Sequence, residues 1–177
     1  TVTIDIVGTN DAAVFGGTIS GTLREDVTLS RSGTLTVTDP DTGENHTVAD
    51  TGTGVSGYGT YTVDAANHWS YNLNNSSAAV TGLITGQTVT DTFTVFSVDH
   101  TSQVVTLTIQ GTNDGATITG STTGNVTEDF MPLSTSGHVN VVDVDSGQAH
   151  TVTASGTSTY GSYTVNDTGD WTYTLTG

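Results

Sequence analysis

The chain contains no cysteine, and Lys and Arg together number only 2 among its 177 residues. The absence of cysteine excludes a disulfide framework and any thiolate-bound metal. Nucleic acids and anionic membranes are bound mainly through patches of Lys and Arg, so we expect neither as a partner. No apolar run approaches the roughly 20 residues of a membrane-spanning helix, and we expect no membrane insertion.

Acidic residues dominate the charge of the chain. Asp and Glu number 18, which gives a net charge of −16 at pH 7 and favours cations as ligands. Chains this acidic are often disordered, but here apolar residues alternate with Thr and Ser, and Val, Thr and Tyr favour strands. The first residues, "TVTIDI", do not begin with Met and do not resemble a signal peptide. We therefore expect an ordered β-protein that is a piece of a longer chain.

The tetrapeptide "GTND" occurs at residues 8–11 and again at 111–114, each time after an alternating apolar strand. Four more blocks recur in the same order at separations of 102 to 104 residues: "ED" at 25–26 and 128–129, "DPDTG" and "DVDSG" at 39–43 and 143–147, "YGTYTV" and "YGSYTV" at 58–63 and 160–165, "WSYNL" and "WTYTL" at 69–73 and 171–175. Such recurrence predicts a tandem repeat. Its predicted parts are the last strand of a preceding repeat at 1–7, a complete repeat at 8–110, and a second repeat at 111–177 that lacks counterparts of 92–99 and 104–110.

Within one repeat the pattern predicts strands almost throughout. The candidates are 13–24, 33–38, 46–50, 58–64, 68–73, 88–98 and 103–110, separated by clusters of Gly, Asn and Asp. Residues 61–73 predict a hairpin, and 76–83 leave room for one helical turn. About seven short strands in about 100 residues favour an all-β fold of tandem immunoglobulin-like sandwiches. Trp69 and Trp171 alternate with apolar neighbours, which favours core packing over a role as sugar-stacking platforms.

The order of these motifs resembles a known family. The series E-D, G-x-L-x-V-x-D-x-D-x-G, Y-G-x-Y-x-V, W-x-Y-x-L, Q-x-V-x-D-x-F-x-V, S-x-D and V-x-L-x-I-x-G-T-N-D is similar to the VCBS and cadherin-like repeats of giant RTX-type bacterial adhesins, which are exported by type I secretion. The resemblance covers essentially the whole chain. It implies a calcium-binding, immunoglobulin-like extender module in a long surface protein. The glycine-rich nonapeptide of the calcium β-roll is absent, so that distinct module is not expected.

The residues themselves support Ca²⁺ as the cofactor. Ca²⁺ takes six to eight oxygen ligands, several of them carboxylates gathered from loops. Asp39 and Asp41 lie two residues apart, as do Asp143 and Asp145, and this spacing can direct two carboxylates to one point. The stretch is not an EF-hand, because Gly43 stands where the third acidic ligand should be.

The resemblance also implies which residues would bind the metal, because cadherin-like junctions draw ligands from four places in two successive repeats. For the complete junction these would be Glu25, Asp26, Asp99, Asn113, Asp114, Asp143 and Asp145. The junction at the N-terminal edge would use Asn10, Asp11, Asp39 and Asp41, and Glu128 with Asp129 would belong to a junction beyond the chain.

Acidic residues are also ordinary turn and surface residues. Asp64, Asp91, Asp167 and Asp170 are interpreted in that way, and His46 and His150 as strand surface residues rather than zinc ligands.

These patterns predict a structural module and not an enzyme, since no nucleophile elbow, phosphate loop or zinc motif is present. The expected function is a calcium-stiffened stalk of a secreted, cell-surface adhesin that supports cell adhesion and biofilm formation, with neighbouring repeats as its partners. Two alternatives remain open: a carbohydrate-binding module of a secreted protein, or a subunit of an extracellular filament. An incomplete second sandwich would expose strand edges. We therefore expect either that the chain continues past Gly177 or that another copy supplies strands by exchange.

Overall fold

The structure, a computed structural model, describes residues 1–176. The chain divides into two compact units, Thr1–Thr112 and Asn113–Gly177, called unit 1 and unit 2 below. Gly177, at the end of the predicted second repeat, lies outside the described residues. The regular secondary structure of both units is almost all β-strand, which confirms the all-β prediction.

Unit 1 is a sandwich of two sheets. Its elements are β1 Val14–Gly17, β2 Ser20–Arg24, β3 Ser30–Thr38, β4 Asp50–Thr53, β5 Gly59–Val63, β6 His68–Leu73, α1 Ala78–Thr81, β7 Thr88–Phe96 and β8 Ser102–Gln110. One sheet has the order β1-β3-β6-β5-β4 and the other β2-β8-β7. The predicted strand 13–24 is divided between the two sheets, because Gly17 takes a left-handed conformation with φ of 81° and redirects the chain.

The core of unit 1 lies between these sheets. Apolar residues at every second position of the strands face inward, as the two-residue period of a strand requires. Phe93 is at the centre, with its ring 4.5 Å from that of Tyr61, 5.8 Å from that of Trp69 and 6.5 Å from that of Tyr71. Trp69 is 1% exposed, and its indole N–H donates to the Thr18 carbonyl oxygen at 2.7 Å. Trp69 is therefore a core residue, as predicted, and has no face on which a sugar could stack.

The predicted hairpin at residues 61–73 is present. Strands β5 and β6 pair antiparallel, with Val63 opposite Trp69. Asp64 orders the turn, since its Oδ1 accepts from the backbone N–H groups of Ala66 and His68 at 2.9 and 2.8 Å. Asn67 has a φ of 67°, which Asn tolerates better than most residues. The one-turn helix expected between 76 and 83 is α1.

The strand predicted at 46–50 is wrong. Only an isolated bridge joins Thr47 to Ser97, and β4 does not begin until Asp50. Thr47 is instead held by the β5–β6 turn. Its N–H donates to Asn67 Oδ1 at 2.8 Å, and its hydroxyl donates to the Asp64 carbonyl oxygen at 2.5 Å. These bonds act beside a single bridge of backbone hydrogen bonds, from Val48 to Phe96 at 2.8 Å and from Val98 to His46 at 3.2 Å.

Asp91, interpreted from the sequence as a turn or surface residue, is fully buried. It lies on β7 and accepts four hydrogen bonds, from the Tyr71 hydroxyl and from the backbone N–H groups of Ser56, Tyr58 and Thr92. The sequence interpretation failed because Asp91 acts as an internal acceptor that attaches the loop between β4 and β5 to the second sheet. Gly54 is required there, since a Cβ would lie 2.1 Å from the Asp91 carboxylate.

Unit 2 repeats only one of the two sheets within the described residues. Its strands are β9 Thr117–Gly120, β10 Ser134–Val142, β11 Ala154–Ser158, β12 Gly161–Val165 and β13 Asp170–Leu175. They form a sheet of order β11-β12-β13-β10-β9, the counterpart of the β4-β5-β6-β3-β1 sheet of unit 1.

One face of this sheet is open. A groove along it is lined by Val126, Val139, Val165, Trp171 and Tyr173, among others. Trp171 is half-buried, whereas its counterpart Trp69 is covered by β7 and β8. Residues 124–127 match part of β2 but form no strand. In unit 1 the ladder partner of β2 is β8, and the described part of unit 2 contains no counterpart of β8.

Candidate metal centre

Three carboxylates meet in the loop after β3. Asp39, Asp41 and Glu44 each offer an oxygen, and these oxygens all lie within 4.8 Å of one another. The Asp41 N–H donates to Asp39 Oδ1 at 2.7 Å, and Gly43 turns the loop with a φ of 91°. Asp39 Oδ2 and Glu44 Oε2 are buried and accept no hydrogen bond within the described chain. Buried acceptors without donors are costly, and a cation would satisfy them.

The charge environment of this loop also favours a cation. Desolvation raises the pKa of Glu44, and the negative charges of Asp39, Asp41 and Asp99 raise it further. The nearby Asp99 behaves differently: hydrogen bonds from the Ser97 and Thr101 hydroxyls and from the Ala13 N–H hold its pKa well below the usual range. Asp99 therefore stays ionised beside Glu44. A dication would reverse the repulsion among these groups, which is a few kcal/mol for bare charges about 4 Å apart at an effective dielectric of about 20.

The "GTND" tetrapeptide is attached to this loop through its aspartate. The Asp11 N–H donates to Asp41 Oδ2 at 2.8 Å, and the Asn10 side-chain amide donates to the Asp11 carbonyl oxygen at 2.9 Å. The second copy repeats the arrangement, since the Asp114 N–H donates to Asp145 Oδ2 at 2.8 Å. The repeated tetrapeptide thus fixes the backbone that precedes each unit to the D-x-D loop of that unit.

The loop of unit 2 has the same construction. The Asp145 N–H donates to Asp143 Oδ1 at 2.8 Å. Asp145 is 2% exposed, and its Oδ1 accepts no hydrogen bond within the described residues. The Asn113 side-chain amide donates to the Asp114 carbonyl oxygen at 2.5 Å. Four of the predicted residues, Asn113, Asp114, Asp143 and Asp145, are therefore brought together.

The predicted grouping of Asp99 with Glu25 is wrong. Asp99 precedes β8 and contacts Ala13, at the N-terminal end of unit 1. Glu25 lies beyond the other end of the same strand, where its N–H donates to the Gln110 carbonyl oxygen at 3.1 Å. A strand of nine residues spans about 30 Å, so these two carboxylates cannot share an ion. The charge of Asp99 acts instead on Glu44, at the same end of unit 1.

The two acidic "ED" pairs differ between the units. Glu25 is fully buried, and its Oε1 accepts from the Thr112 N–H at 2.6 Å, next to the second "GTND". Asp26 turns away into solvent, has a φ of 58° and exchanges hydrogen bonds with Asn75. Glu128 and Asp129 are both exposed. Of these four predicted ligands, only Glu25 is held against a linker.

Glu44 is the residue that the sequence analysis missed. The predicted ligands came from repeated acids and from the family resemblance, and Glu44 belongs to neither set, since the position that matches it is Gln148. The available signal was local: Glu44 follows Asp41 by three residues in a loop turned by Gly43. His46 is half-buried and His150 is exposed, and their interpretation as strand surface residues rather than zinc ligands remains a prediction.

The donor set fits Ca²⁺. All the converging ligand atoms are carboxylate oxygens, which hard cations prefer and which give Ca²⁺ its usual coordination. The orphaned buried oxygens of Asp39, Glu44 and Asp145 provide the places where a cation would be bound.

Comparisons with known proteins agree with the fold. A family model described as a bacterial cadherin-like domain matches residues 10–111. A search of curated protein sequences found no match. No helix among the described residues is long and apolar enough to cross a membrane.

Three solved structures resemble the chain. They are PcdhgB3 EC1-4 in 50 mM HEPES (TM-score 0.52, 14% identity, 93% of this chain and 41% of that one), the protocadherin gammaB7 EC3-6 cis-dimer structure (0.53, 15%, 94% and 40%) and protocadherin gamma B2 extracellular cadherin domains 1-5 (0.50, 15%, 89% and 30%). The chain thus spans less than half the length of each, and identities this low show the fold alone. The family match indicates an extracellular, adhesion-type module. The matching family is not a catalytic one. The chain belongs to the bacterial cadherin-like domain family.

Proposed function

We propose that this chain is a segment of the calcium-stiffened stalk of a large secreted bacterial surface adhesin of the RTX type, which supports cell adhesion and biofilm formation. The observation that carries the proposal is the repeated loop. In both units the linker aspartate N–H donates to the second carboxylate of D-x-D at 2.8 Å, and the loop keeps a buried carboxylate oxygen without a donor.

The carboxylates of the loop and the linker backbone act together in this mechanism. When bound, Ca²⁺ would supply positive charge that neutralises the loop carboxylates. Asp39, Asp41 and Glu44 would hold it in unit 1, with Asp99 beside them, and Asp143 and Asp145 in unit 2. Because Asp41 and Asp145 also accept from the linker N–H groups, ordering of these loops restricts the linker. Without the cation, repulsion loosens the loop and the linker moves more freely.

A stack of such repeats behaves as a nearly one-dimensional array, which suits a protein that holds an adhesive domain away from the cell. Extracellular calcium modules bind at about 10⁻⁴–10⁻³ M. Millimolar Ca²⁺ outside the cell would fill these sites, and the low cytosolic level would leave them empty. Because the sites stay empty in the cytosol, the chain would be exported before the metal stabilises its fold, as type I secretion requires.

Small-angle scattering tests the stiffening. On a segment long enough to contain two complete units, Ca²⁺ should lengthen and stiffen the parent protein. The double substitution Asp114→Ala with Asp143→Ala should remove one calcium-binding step and the associated stiffening, while each unit stays folded. Asp64→Ala, at an exposed turn, is the control and should change neither; Asp91 is unsuitable as a control because it is buried. If the double variant is as long and stiff as the parent in Ca²⁺, "GTND" is only a turn and has no part in calcium-dependent stiffening.

Strand exchange between copies is a second candidate. Val2, Ile4 and Ile6 are 87%, 79% and 92% exposed, whereas their repeat counterparts Val105, Leu107 and Ile109 are fully buried on β8. Unit 2 has an open groove where unit 1 places β7 and β8. Residues 2–7 of one copy could therefore pair with residues 124–127 of another, and repeated head-to-tail pairing would build a filament.

Sedimentation of this chain as a function of concentration tests the exchange. The parent should associate, and Ile4→Asp should weaken the association about tenfold or more by placing a carboxylate in the groove. Thr3→Asp adds the same charge on the opposite face of the strand and should have a much smaller effect. A parent that stays monomeric at all concentrations would eliminate this candidate.

A further inference from the structure

The D-x-D loops of the two units share one backbone geometry. The N–H of the second aspartate donates to the first at 2.7 Å in unit 1 and 2.8 Å in unit 2. The next backbone hydrogen bond also matches, from Glu44 to the Asp41 carbonyl oxygen at 3.3 Å and from Gln148 to the Asp145 carbonyl oxygen at 3.2 Å. The loop glycines, Gly43 and Gly147, have φ values of 91° and 78°. Residues 44 and 148 therefore occupy the same place.

The side chain at that place differs in charge. Glu44 brings a third carboxylate within 4.8 Å of those of Asp39 and Asp41, and its Oε2 is buried without a donor. Gln148 offers a neutral amide, which has one acceptor oxygen and no charge. In unit 2 the buried oxygen that lacks a donor belongs to Asp145, which is 2% exposed. Both loops thus have an oxygen available for a cation, but with unequal negative charge around it.

We propose that the residue three positions after D-x-D grades the two calcium sites, so that Glu44 makes the unit 1 loop the high-affinity site and Gln148 makes the unit 2 loop the low-affinity site. This inference rests on the proposed function. Ligand charge count is one of the two properties that tune calcium affinity in proteins of one geometry, and rigidity is the other. Since the backbone hydrogen bonds of the two loops match, the charge around them is what differs. Glu44 stands where unit 2 has the neutral Gln148, and Asp99 adds its own charge beside the unit 1 loop.

The grading has a consequence for the order of stiffening. As Ca²⁺ rises, the loop of unit 1 fills first and the loop of unit 2 later. Successive linkers in one stalk would then become ordered at different calcium concentrations. The residue at position 44, or at its counterpart in another repeat, would set the concentration for each linker. The protein would respond to calcium over a wider range than a set of identical sites allows.

Reciprocal substitutions test the proposal. Calcium titration by calorimetry, with the backbone amides of Gly43 and Gly147 followed by NMR, assigns each binding step to its loop. In the parent chain the Gly43 signal should move at about tenfold lower Ca²⁺ than the Gly147 signal. Glu44→Gln should weaken the Gly43 step about tenfold, and Gln148→Glu should strengthen the Gly147 step by a similar factor. The double variant should bring the two steps closer together or reverse their order, depending on how much the charge of Asp99 adds beside the unit 1 loop.

A second readout separates a ligand from a merely structural residue. In EDTA, Glu44→Gln removes repulsion among three close carboxylates and should raise the melting temperature, whereas in millimolar Ca²⁺ it should lower it. If Glu44 had only a structural role, the substitution would change the melting temperature in the same direction in EDTA and in Ca²⁺. Asp167→Asn, which removes one charge at an exposed turn of unit 2, is the control and should leave both binding steps and both melting temperatures unchanged.

The outcomes are distinguishable. If the parent chain binds no Ca²⁺ at either loop, the proposed function fails together with this inference. If it binds at both loops with equal affinity, or if the reciprocal variants bind like the parent, the grading is wrong and the calcium-stiffened stalk stands. Should Glu44→Gln fail to fold, Gln148→Glu alone decides, since an unchanged Gly147 step in that variant also overturns the grading.

Discussion

In about 10 mM Ca²⁺ the chain should melt at a temperature roughly 10 °C higher than in EDTA. A ligand that binds only the folded state stabilises it by RT ln(1 + [L]/Kd), which is about 1.4–2.7 kcal/mol per site when Ca²⁺ exceeds Kd by roughly 10- to 100-fold. For domains of about 100 residues, each kcal/mol shifts the melting temperature by about 4–8 °C. The sign is fixed by the acidic loops, whose carboxylates repel one another when no cation is bound.

Magnesium at the same concentration should have a smaller effect. It demands near-octahedral geometry at shorter distances and keeps several of its waters, so a loop of converging carboxylates held by backbone hydrogen bonds suits it less well. Scanning calorimetry in EDTA, Mg²⁺ and Ca²⁺ is the measurement. Superimposable melting curves in EDTA and in Ca²⁺ would refute the calcium assignment for both units.

Asp91→Ala should lower the free energy of unfolding of unit 1 by about 3–5 kcal/mol, because it leaves four buried donors without their acceptor and each such loss costs about 1–3 kcal/mol, less where the site relaxes. Asp91 Oδ2 accepts from the Tyr71 hydroxyl at 2.7 Å and from the Tyr58 N–H at 3.1 Å. Its Oδ1 accepts from the N–H groups of Ser56 and Thr92, each at 2.8 Å. Alanine would leave these donors buried beside a cavity. Burial and the neighbouring Asp91 carboxylate raise the pKa of Tyr71, so the tyrosine remains a donor at every ordinary pH.

Urea unfolding at constant Ca²⁺ measures this loss. Asp64→Ala is the matched control, because Asp64 also accepts backbone N–H groups but is exposed, and it should cost about 1 kcal/mol or less. Because Asp91 lies inside the sandwich and not among the loop carboxylates, its effect should be the same in EDTA and in Ca²⁺. A cost for Asp91→Ala no larger than that for Asp64→Ala would contradict the assigned role.

The burial of Asp91 was detectable in principle from the strand period. In β7, Val89, Asp91, Phe93 and Val95 occupy alternate positions, so the alternation that identified the core residues also directs Asp91 inward. The acidic side chain was interpreted by its type instead of its register. The sequence does not predict which donors satisfy the Asp91 carboxylate. Ser56 and Tyr71 come from separate parts of the chain and contact Asp91 only in the folded sandwich.

Local patterns of the sequence were sufficient for most of the strands, the β5–β6 hairpin, the core position of Trp69 and the pairing of Asp39 with Asp41. Each depends on the two-residue period of a strand or on turn chemistry within a few residues, so neighbouring residues determine it. The family was also apparent from the order of the motifs.

Tertiary structure decided which acids share a site. The family resemblance grouped Asp99 with Glu25, but the length of β8 separates them, and distance along a strand is a property of the folded sheet. Glu44 joined the cluster because the loop after β3 folds back on itself. Trp171 is only half-buried and Glu128 is exposed, whereas Trp69 and Glu25 are buried, and this difference also comes from the tertiary structure. Nearly the same local sequence becomes core or surface according to whether a second sheet covers it, and that covering is formed by residues distant in the chain.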